Sequence, residues 1–563
     1  MPRIGQGWAL SDFLAALGVL AAAAGAAGAI LLPPGRPRAA AMLAALALFP
    51  ALILGDQWHS RAIVDLRDST GRLVGLGALA VAAAAALAYA FRRWPILLPL
   101  AIVAALPFRV PLHSGGDTAN LLVPLYLVIA GGALAVGARD WCLQPAGPVA
   151  AGDPPPLPVA KASSGAGPPT APPAGGALTW LPRVLAAIVV LYAVQVLYSE
   201  DFSKGLQDVC FFFVPFSLVY GLLRDVSWDK KLLTLVVWVI GIEVICFVAV
   251  GTVEWVTRDL FWNDQVIRSN EFHTYFRVNS IFWDPNVYGR YLALVAVLAM
   301  SALMWAREKR TLALLTALVA VAWFGLFPTY SQSSFVALLA GLAVLAALKW
   351  SLKWTAIAVG VLAVLGVLVV LLAGGASKLS PDRLNVDTSG RANLVSGGIH
   401  LFTQRPVYGY GSGSFPKAYR EHVRTKKTPV SVSHTEPVTI AAEQGLIGLA
   451  LYLSLVVTAL WTMSSGLARS LLGHFASRAG GAVGGTSPED ALATAGAGGS
   501  PAATGPARDI PVARAAVLAV FVALLVHTMA YAGFFEDPIT WVLLAIGSTL
   551  AARVSACRDT SAA

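Results

Sequence analysis

Apolar residues run through this chain in long blocks broken by short polar stretches, a pattern that predicts helices crossing a bilayer. Such a helix needs roughly 20 mostly apolar residues. Blocks of this kind lie near 8–32, 38–55, 73–90, 95–110, 119–138, 179–198, 206–223, 231–253, 286–305, 311–328, 332–349, 353–373, 436–463, 513–532 and 537–554, about fifteen spans by that criterion. The run from Trp8 to Leu32 is too long for the apolar part of a secretory leader, and many more spans follow it, so it reads as a signal anchor.

Basic residues orient these spans. Arg307, Lys309 and Arg310 mark one cytoplasmic turn, Lys349 and Lys353 the next, then Arg469 with Arg478, and Arg553 with Arg558. Segments 254–285, 328–332, 374–435 and 533–537 then face outward. Continuing the alternation toward the start places Arg92, Arg93 and the Arg224/Lys230/Lys231 group inside and the N-terminus outside, a side that Arg3 neither supports nor forbids. Residues 143–178 and about 473–510 are rich in Pro, Gly, Ala and Ser, lack the apolar content for a core, and are expected to be disordered cytoplasmic loops. No internal repeat is visible.

Composition excludes the soluble alternative. Of 563 residues, 57% are hydrophobic and only 12% charged, with mean hydropathy +0.70. A water-soluble chain of this length could not cover its own apolar surface with so few charges. The expected class is an all-α polytopic membrane protein. The net charge of +10 needs no nucleic-acid partner, since loop cations that fix orientation and touch anionic headgroups account for it. Cys142, Cys210, Cys246 and Cys557 are scattered without a CxxC or His/Cys spacing, which suggests neither a disulfide framework nor a metal site.

Outside the linkers, polar residues gather in two outward loops. In the first, 257–292, Asp284 can cap a helix that begins at Pro285, and Arg268, Arg277 and Arg290 surround that entrance. The second, 374–435, carries an amphipathic stretch at 391–404 suited to lying in the membrane interface, then the glycine-permitted turn Pro406-Val-Tyr-Gly-Tyr-Gly-Ser-Gly413, then His434 at the mouth of the next span. Glu443, two turns inside that span, is a functional candidate because an intramembrane carboxylate is costly, and it could pair with Arg391 or Arg277 and orient it. Gly445 and Gly448 read as close-packing positions, and Glu243 has no evident partner. His400 and His422 share the loop with His434, and Trp255, Trp262 and Trp283 could stack on sugar rings. These residue types suit a lipid pyrophosphate: guanidinium groups bind phosphate bidentately, and a near-neutral histidine can take a proton from an attacking hydroxyl. Arginine stabilisation of a departing pyrophosphate could replace an acid catalyst and a metal ion.

Over residues 180–555 the chain resembles the bacterial O-antigen ligase and O-antigen polymerase-like membrane glycosyltransferases. The resemblance rests on an ordered set: Arg277; Ser280-Ile-Phe-Trp-Asp-Pro-Asn286-Val-Tyr-Gly289; Ser389-Gly-Arg391; Pro406-Val-Tyr-Gly-Tyr-Gly411; His434; and Glu443-Gln-Gly-Leu-Ile-Gly448. It implies a GT-C-like helical bundle with a large extracytoplasmic loop before the last spans. It also implies metal-independent, inverting transfer of a glycan from an undecaprenyl-pyrophosphate carrier to a lipid, glycan or protein hydroxyl, without a cofactor, on the outer face of the cytoplasmic membrane. His434 matches the histidine that activates the acceptor, with Arg391 the second catalytic candidate. Arg391 matches the loop arginine that engages donor pyrophosphate and Arg277 the arginine ahead of the Pro-Asn helix; Arg277 and Arg290 are further candidates for holding pyrophosphate, and Glu443 supports them. Where the family often reads Ser-Arg-Gly, this chain has Ser331-Gln332-Ser333-Ser334, and Thr435 stands where Asn commonly follows the histidine. It also has more N-terminal spans than a typical ligase.

The expected organisation is N-terminal spans over 1–142, a linker over 143–178, a core over 179–373 with its outer loop at 254–285, and a catalytic loop over 374–435. A span over 436–463, a cytoplasmic loop over 464–512 and C-terminal spans over 513–563 complete it. Ligase, polymerase and protein O-oligosaccharyltransferase share these features. A transporter or flippase for lipid-linked glycans is the alternative of another class, and it would place charges along a mid-membrane path.

Overall fold

The computed structural model describes residues 10–58, 60, 63–64, 70–114, 117–143, 180–272, 275–374, 390–423, 432–467 and 510–562. Both expected linkers, apart from Leu143 and Ile510, lie outside the described residues, as do Arg3, Ser389, Arg469 and Arg478 and the parts 375–389 and 424–431 of the second loop.

The chain is an all-α polytopic membrane protein. Its helices are α1 (Leu10–Leu31), α2 (Arg36–Asp56), α3 (Thr70–Arg93), α4 (Leu97–Ala105), α5 (Val123–Cys142), α6 (Trp180–Val196), α7 (Phe202–Asp208), α8 (Val214–Leu223), α9 (Lys230–Thr257) and α10 (Asp264–Phe272). Then follow α11 (Pro285–Trp305), α12 (Lys309–Leu326), α13 (Gln332–Lys349), α14 (Leu352–Gly374), α15 (Arg391–Gln404), α16 (Phe415–His422), α17 (Glu436–Ser464), α18 (Ile510–Thr528) and α19 (Pro538–Ala562). A π-helical turn over Val209–Phe213 joins α7 to α8. Among the described residues, eleven helices are long and apolar enough to cross a membrane, and three shorter apolar helices lie at Trp180–Val196, Leu352–Leu362 and Pro538–Arg553.

Together these account for every expected span except 95–110. That stretch forms only the nine-residue α4, which at 1.5 Å per residue is too short to cross a bilayer alone. Pro107, which cannot continue a helix, follows it, and the chain then forms a small antiparallel hairpin, β1 (Val110–Ser114) with β2 (Asp117–Leu121). The Gly115-Gly116 dipeptide between the strands is a two-residue hairpin signal that the apolar count overlooks.

In the bilayer, apolar helices gain little from leaving lipid, so close packing and buried polar pairs must hold them together. An aromatic cluster joins α6, the π turn, α8 and α19. Tyr192 stacks on Phe213 at 4.0 Å, and Trp541 meets Phe213 and Phe216 edge-on at 6.2 and 6.4 Å. At one end of the bundle, fully buried Arg38 pairs with Asp140 at 3.3 Å and Asp225 at 2.5 Å. At this same end Arg224 donates to the Ile30 and Leu32 carbonyls and Arg553 to the Trp228 carbonyl. Lys349 reaches the Met304 carbonyl and Arg514 those of Met463 and Ser465 at the corresponding ends of their helices. The two polar loops emerge at the opposite end.

Candidate functional site

The first loop is held by backbone amides on a buried carboxylate. Glu254, in the last turn of α9, accepts the N–H groups of Asn279 and Ser280 at 3.1 and 2.7 Å. Asp284 then caps α11, its Oδ1 accepting the Asn286 N–H at 2.6 Å, with Pro285 as the first helical residue, as the sequence predicts. Between these anchors Arg277 is fixed in place. Its Nε donates to the Thr329 carbonyl at 2.8 Å and its Nη2 to Asn286 Oδ1 at 3.0 Å. Asn270 pairs with its backbone in both directions, at 3.0 and 3.1 Å.

The second loop is organised by a break in α17. Gly445 has φ 64° in the middle of that helix, which frees carbonyls that lipid could not satisfy. The glycine segment supplies the partners: Tyr410 N–H donates to Ala442 O at 3.1 Å and Gly411 N–H to Glu443 O at 2.8 Å, while Leu446 N–H returns to Pro406 O at 2.7 Å. The approach is close enough that a Cβ on Gly409 would lie 2.3 Å from Glu443 O, and one on Gly445 2.3 Å from Val407 O. Gly445 is therefore a backbone break, not the helix-packing position that its spacing suggests. The Glu443 side chain completes the joint. Its carboxylate oxygens accept the Gly413 and Phe415 N–H groups at 3.0 and 2.9 Å, so it orients the loop backbone and not the expected arginine.

His434 precedes α17 in a left-handed conformation, φ 62°. Its neighbours are clamped to the segment after α18: Thr435 Oγ1 donates to Met529 O at 3.1 Å, and the Glu436 carboxylate accepts the Gly533 and Phe534 N–H groups at 2.7 and 3.1 Å. The imidazole sits 6.1 Å from the Tyr531 ring, centroid to centroid. Arg391, the first residue of α15, reaches the same segment, its Nη1 donating to Ala530 O at 3.3 Å. The helix's positive end adds to its charge.

These side chains share one electrostatic neighbourhood. Burial lowers the His434 pKa from its ordinary value, the Arg391 charge lowers it further, and Asp284 opposes both. Burial likewise draws Arg277 down, Asp284 and Tyr275 counter it, and Arg391 adds to the lowering, although the guanidinium stays cationic. Tyr531 faces Asp284, which together with burial raises its pKa. The structure thus brings His434, Arg391 and Arg277 to one region from loops far apart in sequence. A neutral imidazole there can accept a proton, and the guanidinium groups can receive an anion.

Arg290 stands apart. It is buried within α11 and its Nη2 pairs with Asp537 at 2.7 Å, tying α11 to the entrance of α19. Binding a phosphate would require releasing that carboxylate. Asp537, Tyr531 and Arg109 are neighbours that sequence reasoning missed. Arg109 lies close enough to Tyr531 to act on its titration, yet it follows α4 in a stretch expected to be a membrane span. The polar Glu536-Asp537 pair in a short interhelical turn was the available signal for Asp537. Among the other residues singled out, His400 bonds Gln404 at 3.0 Å and Glu243 accepts the Tyr291 hydroxyl at 2.6 Å.

Glu200, Glu421 and His422 bring potential metal-ligand atoms within 4.8 Å of one another. Glu200 already pairs with Arg405 at 3.0 Å and His422 at 3.3 Å, so its charge is met without an ion.

No curated protein matches the chain in sequence. Residues 317–453 match the family model described as O-antigen ligase, a stretch that includes Arg391, the glycine segment, His434 and Glu443 and leaves out Arg277 and Arg290. Residues 317–453 of this many-helix membrane chain are thus similar to an O-antigen ligase domain, with the second polar loop inside the matched stretch and the first packed against it from outside.

Proposed function

We propose that this protein transfers a glycan from a polyprenyl-pyrophosphate carrier to an acceptor hydroxyl on the outer face of the cytoplasmic membrane. The observation that carries the reading is the convergence of His434, Arg391 and Arg277 at one end of the bundle. Arg391 and Arg277 hold the pyrophosphate as a pair of forked cations. The neutral His434 imidazole takes the acceptor proton as the hydroxyl oxygen bonds to the anomeric carbon. The bond from that carbon to the pyrophosphate oxygen breaks at the same time, and the electron pair leaves with the pyrophosphate, whose growing charge the arginines stabilise. One displacement of this kind inverts the anomeric centre. Arg290 serves the site at one remove, by holding α11 against α19 through Asp537.

Orientation supplies much of the gain, because a lipid-tethered donor and an acceptor confined to the same depth meet without a full search. The basic residues at the opposite end of the bundle support an outward-facing site under the positive-inside rule. Glu243 accepts the Tyr291 hydroxyl within the membrane, a local contact that gives the transporter alternative no support.

The test is purified protein with synthetic polyprenyl-pyrophosphate glycan and a panel of lipid, glycan and protein acceptors. Wild type should move the glycan to one acceptor class, which also separates ligase, polymerase and protein-directed roles. His434→Ala should insert normally and lose transfer, and full activity in that variant would remove the proposed base.

A further inference from the structure

A cavity of about 340 Å³ opens between the loop-side ends of α9 and α12. Val248, Thr252, Trp255, Val278, Phe324 and Pro328 line it, so its walls are almost wholly apolar. Its size falls in the range of small-ligand sites, roughly 300–1,000 Å³. Phe324 is 56% exposed and Trp255 42%, both on the flank of the bundle that meets lipid. The opposite wall belongs to the polar site: Val278 follows Arg277 directly, and its N–H donates to Pro328 O at 3.1 Å. A second guanidinium, that of Arg258, lies over the Trp255 ring at 5.6 Å and the Phe276 ring at 5.4 Å. The cavity therefore joins a lipid-facing opening to two arginines.

We infer that this cavity holds the first isoprenoid units of the donor lipid, seated so that Arg258 joins Arg277 and Arg391 around the attached pyrophosphate. The inference rests on the reading above and specifies how its donor is recognised. An occupant must be apolar along its chain, must enter sideways from the bilayer, and must end in concentrated negative charge. Two cations at the mouth match a pyrophosphate better than the single phosphate of a zwitterionic phospholipid. The aromatic walls suit a methyl-branched, unsaturated chain.

The experiment uses the full chain in phosphatidylcholine vesicles and a sugar-free polyprenyl pyrophosphate carrying a diazirine on its second isoprene unit. Photolabelling should fall on α9 and α12 around Thr252 and Phe324. It should be competed by unlabelled polyprenyl pyrophosphate and not by excess phospholipid. Thr252→Trp, which fills the cavity, should cut labelling by about tenfold, and Trp255→Ala, which removes a wall without adding bulk, by about threefold. Labelling elsewhere, equal competition by phospholipid, or unchanged labelling in both variants overturns the assignment. No acceptor or transfer is involved, so cavity labelling without glycan transfer by wild type would fail the proposed function alone. Transfer with labelling elsewhere would fail the cavity alone.

Discussion

The Glu443 carboxylate accepts the Gly413 amide at 3.0 Å, and its other oxygen takes the Phe415 amide at 2.9 Å. A carboxylate two turns inside a helix thus sets the path of a loop that reaches back toward it. Glu443→Gln keeps the size but turns one acceptor into a donor facing an N–H group. It should destabilise the protein by about 1–3 kcal/mol, the cost of a buried donor left unsatisfied. Transfer should fall further than the loss of folded protein explains. Thermal unfolding in detergent, run beside a transfer assay normalised to folded protein, checks both effects.

Gly445 is a sharper probe of the same joint. An Ala Cβ there would lie 2.3 Å from Val407 O, and φ 64° disfavours any side chain. Gly445→Ala should destabilise by more than the roughly 1 kcal/mol that Gly-to-Ala changes can gain at compatible sites. The neighbouring Leu446→Ala, at a residue 52% exposed, should change little. Comparison of their unfolding temperatures decides whether the break is required.

The rate should carry an acid limb below the ordinary histidine value of about 6.5. His434 acts as a base only when neutral, and burial together with Arg391 lowers its pKa, so activity persists to lower pH and is lost as pH falls through that lowered value. Arg391→Gln should move the limb up, since a depressing charge is gone, as well as slow transfer. Asp284→Asn should move it down, since the opposing charge is gone. Profiles of kcat/KM against pH for the three proteins give the direction of each shift.

The Arg290–Asp537 pair is buried on both sides. Removing one partner leaves an unpaired buried charge, so Asp537→Ala should cost about 3–5 kcal/mol, whereas Arg290→Met with Asp537→Leu should recover most of it. A recovered fold with retained transfer confirms a positioning role for Arg290. A recovered fold without transfer would return Arg290 to direct phosphate binding.

Sidedness is accessible directly. Tyr408, 45% exposed beside the glycine segment, replaced by Cys should react with a membrane-impermeant thiol reagent added to intact spheroplasts. Reaction only after the membrane is opened would place the site on the cytosolic face.

Much of the helix plan is legible in the sequence, because block length and hydropathy decide which segments can span. The cap at Asp284 is legible for the same reason: it depends on adjacent residues. The α4 hairpin region was not, since nine apolar residues before Pro107 raise the same hydropathy as a longer span. The candidate side chains could be named from their chemistry and motif order, but their assembly could not. Gly445 looks like a packing glycine until the Pro406–Gly411 backbone is seen against it. The Asp537 partner of Arg290 lies too far along the chain for any local pattern to show. Tyr531 and Arg109 stand near the site only because α18 and the α4 hairpin end beside it.

The most direct measurement is the identity of both products from a purified reaction, by mass spectrometry and by the configuration of the new glycosidic bond. The account predicts free polyprenyl pyrophosphate, the glycan on an acceptor oxygen with its anomeric centre inverted, and a reduced yield of both products in Arg391→Lys, which keeps a charge but not the fork. Release of a polyprenyl monophosphate, retention of configuration, or a carrier moved across the membrane with its glycan still attached would contradict it.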